Sequence, residues 1–400
     1  MSSLSLFSET DVDAPVTEGV KYAGSKLKLL PHILSLIKKT GARTVLDGFS
    51  GTTRVSQALA KSGYTVVAND IAAWSQVFGT CYLLNIQDRR HYQGLIDHLN
   101  GLPPKDGWFT EHYGGDVTES QAPQEDGLKK PWQRHNTRKL DAVREEIDRL
   151  SLSTVDRAVA LASLMLAMDR VDSTLGHFSS YLREWAQRSF GTAMLEVPRL
   201  FANEREHRVL RGDAIDAAST DVDLAYYDPP YGSNNEKMPP SRVRYAAYYH
   251  VWTTIVLNDK PTVFGKTCRR EDASDTVSPS AFEDFRRNPV TDRFTAVEAV
   301  ERLISSTCAR WVVLSYSSGG RATAHELQEV LLANGNIIEV VELCHKRHVM
   351  AGMTWTNEWI KEIEAPNREF LFLLDRAGGG VKSVQTHETK PIALGETTAV

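Results

Sequence analysis

The 400-residue sequence is short of cysteine, of long apolar runs and of net charge, and each shortage removes a class of protein. Its four cysteines, Cys81, Cys268, Cys308 and Cys344, show no C-x-x-C spacing and suggest no disulfide framework, so a reducing cytoplasm is the expected compartment. The longest apolar stretch, near Leu161 to Met168, is too short to cross a bilayer. Met1 to Val16 lacks a basic region followed by an apolar core, so neither secretion nor membrane insertion is expected. The twelve histidines do not fall beside carboxylates at ligand spacing, and no metal centre is expected. A formal net charge of -5 argues against indiscriminate coating of nucleic acid, so an enzyme acting on a polyanion must concentrate its cations locally. The G-x-G-x-x-G fingerprint is also missing, which counts against a dehydrogenase.

What is present is a 42% apolar content, enough to bury a full α/β domain and a smaller partner, and two constellations that carry chemistry. Asp223 to Tyr227 reads as a short buried strand, stopped by Pro229 and Pro230, whose rings fix φ and carry no N–H. Asp228 then stands at a strand's carboxyl end, the edge where open α/β sheets bind ligands. An ionised aspartate only accepts hydrogen bonds, and Pro229 offers only its carbonyl. The pair presents two acceptors to an NH2 group, with Tyr231 as a face for a stacked base. The bland alternative is an ordinary turn.

Upstream, Val45 to Gly51 reads as a strand running into a glycine turn. A helix follows, with Thr52 or Thr53 as its cap and Gly63 at its end. The next strand, Tyr64 to Ala68, leads to Asn69-Asp70, about 23 residues beyond Asp47, where a βαβ unit places a carboxylate on ribose hydroxyls. An acidic first turn with the single Gly51 disfavours a pyrophosphate and suits a cationic nucleoside cofactor such as S-adenosylmethionine.

These residues resemble the DNA adenine methylase family, S-adenosylmethionine-dependent N6-adenine methyltransferases of the DPPY type. Lys21-Tyr22-Ala23-Gly24-Ser25-Lys26 resembles the family's opening motif, in which the aromatic residue and the lysine contact the cofactor. Asp47 to Gly51, with Phe49, resembles the first strand-turn motif, Asn69-Asp70 the ribose-binding acid, and Gly212-Asp213 the motif touching the cofactor's adenine. Asp228, Pro229, Pro230 and Tyr231 resemble the catalytic motif. The family usually has glycine where this chain has Thr53, which predicts a wider turn. The motif order resembles the α arrangement, with a long insert that recognises the target sequence.

The resemblance implies an α/β fold, a Rossmann-like methyltransferase sheet of about seven strands with an inserted, mainly helical target-recognition domain. The expected boundaries are a flexible tail over 1–18, a catalytic domain over 19–84 and 205–381, an insert over 85–204, and a second tail over 382–400. Within the insert, Gly101 to Pro131 reads as a loop, Asn136 as the cap of a helix bearing Leu140, Val143, Ile147 and Leu150, and Thr154 to Met168 as a buried spine. Three late runs, Trp311–Tyr316, Ile337–Leu343 and Phe370–Leu374, complete the sheet, the last two as an antiparallel hairpin with a short connection.

Candidate phosphate contacts lie in Lys129, Lys130, Arg134, Arg138 and Lys139, in Lys266, Arg269 and Arg270, and in His345 to His348. Asp169 to Arg188 mixes Phe178, Tyr181 and Trp185 with Arg170, Arg183 and Arg188. Such a mixture suits a base-stacking surface or, alternatively, a helix with its aromatics packed inward. Ser233 to Arg244 reads as a mobile loop, and the following Tyr245, Tyr248, Tyr249, His250 and Trp252 as either a base pocket or the start of a helix. The expected partners are double-stranded DNA and, functionally, a cognate restriction endonuclease without a stable complex. An RNA amino-group methyltransferase and an inactive methyltransferase-like binding protein are the competing readings.

Overall fold

Seven strands form one sheet: β1 (Thr44–Asp47), β2 (Thr65–Asp70), β3 (Arg208–Arg211), β4 (Leu224–Tyr227), β5 (Trp311–Ser317), β6 (Asn336–His345) and β7 (Asn367–Asp375). The computed structural model describes residues 12–116, 128–203, 205–232, 245–273, 280–284, 286–345 and 367–377. Strand order is β6-β7-β5-β4-β1-β2-β3, parallel except for β7, which runs antiparallel to both its neighbours. The chain leaves β1 in one direction to β2 and later returns on its other side as β4, so the topological switch lies between β1 and β4.

The helices are α1 (Leu30–Thr40), α2 (Arg54–Lys61), α3 (Ala73–Leu83), α4 (Arg89–Gly101), α5 (Trp108–Tyr113), α6 (Arg134–Arg149), α7 (Thr154–Arg170), α8 (Ala214–Ala217), α9 (Tyr245–Tyr248), α10 (His250–Leu257), α11 (Thr295–Ser306) and α12 (Ala324–Asn334). Period-two alternation sorts the strand residues between two faces. Val45, Val66, Leu224 and Tyr226 pack with α1 and α2, while Leu46, Val67, Ala225 and Tyr227 pack with α11 and α12. A third core surrounds α7, whose residues Ala158 to Met168 are all buried, as the apolar spine predicts. It joins Phe78 of α3, Leu140 of α6 and Trp252 of α10 in one continuous cluster, so the helices after β2 share a core with the sheet's own flanking helix.

Several local expectations change. Asn136 lies inside α6, which starts at Arg134. Its buried amide bonds the Gly191 carbonyl and the Ala193 N–H, so it ties the helix to a distant loop instead of capping it. The reading of Gly101 to Pro131 as loop missed α5, whose first N–H groups are held by Asp141 from α6. Residues 16–18, expected at the end of a mobile tail, are strapped down. Lys61 bonds the Val16 carbonyl, Arg54 the Thr17 carbonyl, and Tyr82 the Glu18 carboxylate. The hairpin β6–β7 pairs as expected, but twenty-one residues, 346–366, connect it. Residues 1–11, 233–244, 346–348 and 382–400, which carried the tails, the mobile loop and part of a basic cluster, lie outside the described residues.

Candidate active site

The carboxyl edge of the sheet gathers acids. Asp47 ends β1, Asp70 ends β2, and Asp228 follows β4. Asp47 is fully buried. Its Oδ2 accepts from Ser56 Oγ of α2 at 2.6 Å, while Oδ1 has no hydrogen-bond partner. Burial first, then the neighbouring Asp228 and Asp70, push its carboxyl up to about 7. Asn69 ties three strand ends together, since its Nδ2 donates to the carbonyls of Gly48 and Gly212 at 3.2 Å each. Only glycine fits at 48, because a Cβ there would lie 2.6 Å from the buried Tyr227 ring.

Gly51 takes a left-handed φ of 48°, and its N–H donates to Asp70 Oδ2 at 2.8 Å. Asp70 Oδ1 accepts from the Ala72 N–H, also at 2.8 Å. Thr53 adopts the left-handed conformation itself, with φ 60°. Its N–H bonds the Ser50 carbonyl at 2.6 Å, and its Oγ1 accepts from Gln57. The turn closes on the Thr53 N–H bond to Ser50. A buried threonine takes the backbone conformation that glycine adopts freely, and the Gln57 bond helps offset the strain.

Around Asp228 the structure assembles a four-residue network. Lys26 Nζ stands 3.0 Å from Asp228 Oδ1 and 3.0 Å from Glu369 Oε1. The Tyr231 hydroxyl donates to Asp228 Oδ1 and reaches Glu369 Oε1 at 2.7 Å. Ser315 Oγ donates to the same glutamate oxygen at 3.1 Å. Lys26 also sits 4.8 Å from the Tyr231 ring centroid, and Tyr316 packs at a tilt against that ring. Burial raises the Asp228 carboxyl, Lys26 lowers it and Glu369 raises it again, leaving it at about 6. Among the described residues, no donor reaches Asp228 Oδ2.

Sequence reasoning missed Glu369 and Ser315. The available signal was a lone glutamate at the head of the apolar run Phe370–Leu374. The antiparallel direction of β7 brings that head to the carboxyl edge, where Glu369 pairs in register with Ser317 of β5.

An aromatic wall closes the other side. Tyr22 stacks on Tyr249 at 4.6 Å and meets Tyr245 at 5.4 Å and Trp74 at 5.7 Å. Of the two readings of the Tyr245–Trp252 segment, the start of a helix is the one seen. It forms α9 and α10, and its tyrosines also line the ring system beside Gly51 and Asp228. Phe49 packs edge-on against Phe282 at 5.2 Å. Asp213 is exposed at the end of β3, where its carboxylate caps α8 through the Ile215 N–H.

The D12 class N6 adenine-specific DNA methyltransferase family matches residues 22–285, which span every motif described so far except the late strands. The chain belongs to this family. It is similar to the Type II methyltransferase M.NlaIII of Neisseria lactamica, 27% identical over 322 residues, 78% of this chain and 87% of that protein. It is also similar to the Type II methyltransferase M2.HphI of Haemophilus parahaemolyticus, 24% identical over 89% of this chain and 97% of that protein. With the Modification methylase StsI of Streptococcus sanguinis the identity is 25% over 82% of this chain, which spans about half (49%) of that relative's length. The reaction class is methyl transfer to adenine N6 in DNA. Among the described residues, no helix is long and apolar enough to cross a membrane, and no cluster of ligating side chains suits a metal.

Expected DNA contacts of the methyltransferase are corrected at Tyr181, Arg270 and Lys139. Tyr181 is buried, its hydroxyl spent on the Thr267 carbonyl, so its ring has no face for a base. Arg270 is 3% exposed and forks onto Asp259 and Asp272, which cancels its charge inside the protein. Phe178 likewise packs inward against Trp132 and Trp252 and Trp185 is half-buried, so residues 171–186, which are not helical, turn Phe178 and Tyr181 to the core. Lys139 is buried on the Leu99 carbonyl, and Lys130 reaches the His112 carbonyl. Arg134 and Arg138 remain about half exposed beside Asp106. Arg183 and Lys266 are exposed, Lys129 is half-buried, and Arg269 lies over the Phe264 ring at the short hairpin 263–270.

Proposed function

We propose that the methyltransferase modifies N6 of one adenine within a specific duplex sequence, uses S-adenosylmethionine as methyl donor, and serves as the protective partner of a restriction endonuclease. The observation that carries this reading is Asp228. It is a largely covered carboxylate, 17% exposed, at the switch-point edge, next to the Pro229 carbonyl, with one oxygen held and the other, among the described residues, without a donor. With its carboxyl at about 6 it is ionised at neutral pH, and so acts as an acceptor only.

The residues present fit a cationic nucleoside. Asp47, Asp70, Asp228 and Glu369 gather at this edge, Lys26 pairs with only the last two, and the buried Asp47 Oδ1 lacks a partner. A positive ligand among them would relieve the mutual repulsion that raises Asp47. Asp47, Asp70, Gly51, Phe49, Tyr22 and Asp213 would hold the cofactor, which when bound supplies an electrophilic methyl on sulfonium. Lys26, expected from the resemblance among the cofactor contacts, pairs with Asp228 and Glu369.

The adenine amine is a poor nucleophile because its lone pair is delocalised into the ring. Asp228 and the Pro229 carbonyl, by accepting its two hydrogens, favour a more tetrahedral nitrogen, and most of the protein's contribution is positioning. Extruding the base costs a few kcal/mol. Stacking on Tyr231, worth roughly 1–3 kcal/mol, offsets part of this. Contacts from Lys129, Arg134, Arg138, Arg183, Lys266 and Arg269 to phosphates provide the rest.

Mass spectrometry of nucleosides from plasmid DNA incubated with the protein and S-adenosylmethionine tests the reading. N6-methyladenine is expected with the intact protein and absent with Asp228→Ala. Equal product from both would overturn the role of Asp228, and product confined to RNA would overturn the substrate.

A further inference from the structure

Glu369 lies outside the matched family segment, on the one reversed strand of the sheet, yet one of its oxygens meets an ammonium, a serine hydroxyl and a tyrosine hydroxyl whose single proton it shares with Asp228. Tyr231 Oη, Ser315 Oγ and Lys26 Nζ all converge on Oε1, at 2.7, 3.1 and 3.0 Å. Two of those three, Tyr231 and Lys26, are also the groups that occupy Asp228 Oδ1. A buried glutamate beside a catalytic aspartate is costly, and one ammonium shared between two carboxylates has two places to rest.

We propose that Glu369 is a positioning residue for methyl transfer: it retains Lys26 and the Tyr231 hydroxyl when Asp228 turns its carboxylate to the adenine amine. This rests on the proposed role of Asp228 as the amine's acceptor. Without Glu369, releasing Asp228 would strand the buried Lys26 ammonium without a counter-ion. With it, Lys26 moves its pairing wholly to Glu369 while the charge of the pocket is unchanged. Ser315 fixes the glutamate from the neighbouring strand.

Several charged and titratable groups surround the two acids. Lys26 and Tyr22 come from the opening segment, Asp47 from β1, and Tyr226 and Tyr231 from β4 and the turn after it, with Tyr245 from α9. Of these, only Lys26 brings a positive charge. Removing the Glu369 charge leaves Lys26 to Asp228 alone and takes away a neighbour that raises the aspartate, so Asp228 binds its proton less tightly.

The test measures single-turnover methyl transfer to duplex DNA across pH for the full chain, Glu369→Gln and Ser315→Ala, with cofactor affinity read by calorimetry. Glu369→Gln is expected to lower the plateau rate at least tenfold and to move the acid limb down by about one pH unit or more. Cofactor affinity should stay within about twofold. Ser315→Ala, which leaves the charge of the pocket unchanged, should lower the plateau by a smaller factor. A Glu369→Gln limb and plateau matching the unmodified protein would overturn the positioning role. A plateau lost together with cofactor affinity and with no movement of the limb would make Glu369 a merely structural residue and overturn it as well. If the unmodified protein shows no acid limb, or Asp228→Ala stays active, the proposed role of Asp228 fails first, and this inference falls with it by a distinct result.

Discussion

Replacing Lys26 with methionine keeps an unbranched side chain and removes the ammonium 3.0 Å from both Asp228 Oδ1 and Glu369 Oε1. Two unit charges at that separation interact by about 332/(80 × 3), roughly 1.4 kcal/mol, even with the dielectric constant of bulk water. One pKa unit corresponds to about 1.36 kcal/mol, so the loss of Lys26 raises Asp228 by at least about one unit. Lys26 is only 6% exposed and Asp228 17%, so screening is weaker than in water and one unit is a floor. Asp228 starts at about 6, so the acid limb of methyl transfer should move to about 7 or above. Glu369 then shares the Tyr231 hydroxyl with no cation present, and the limb belongs to the carboxylate pair. The assay is single-turnover transfer from about pH 5 to 9 at saturating cofactor, with Lys26→Arg as the charge-retaining control. A limb for Lys26→Met at the unmodified position, or below it, would show that Lys26 does not hold Asp228 ionised.

Further outcomes concern Asp47 and two cations, Lys266 and Arg270. Asp47 has its folded carboxyl raised to about 7 from an ordinary 3.8, so its contribution to stability is fully present below pH 3.8 and is lost as pH rises through 7. Asp47→Asn should therefore be more stable than the unmodified protein above pH 7, by roughly 4 kcal/mol at most, with the difference closing as pH falls toward about 4. Denaturant midpoints across pH read this directly, and a difference independent of pH would contradict it. The same variant should bind cofactor more weakly. On the DNA side, Lys266→Ala should reduce the slope of log affinity against log salt by about one. Arg270→Ala should instead lower folding stability by about 2 kcal/mol, since it strips two half-exposed aspartates of their cation. An unchanged salt slope for Lys266→Ala would remove Lys266 from the DNA contacts.

The sequence by itself determined the elements whose cause is local. Prolines after Tyr227 stop β4 and leave Asp228 at its carboxyl end. Glycines at 48 and 51 mark the turn after β1, and the spacing from Asp47 to Asp70 marks one βαβ unit. Those signals lie within a few residues of the structure they specify, which is why the catalytic and acidic motifs were legible in order. Tertiary structure alone decided what depends on residues far apart in the chain. The reversal of β7 carries Glu369 some 140 residues from Asp228 in sequence to one oxygen of the same network. Packing sends Tyr181 and Phe178 inward and neutralises Arg270, although composition offered both regions as a surface. Thr53 occupies a left-handed conformation because the bonds of Ser50 and Gln57 hold it there, which no propensity for threonine indicates. Burial and partner choice depend on the whole packed core, whereas turn and strand-end chemistry depends on the residues that form it.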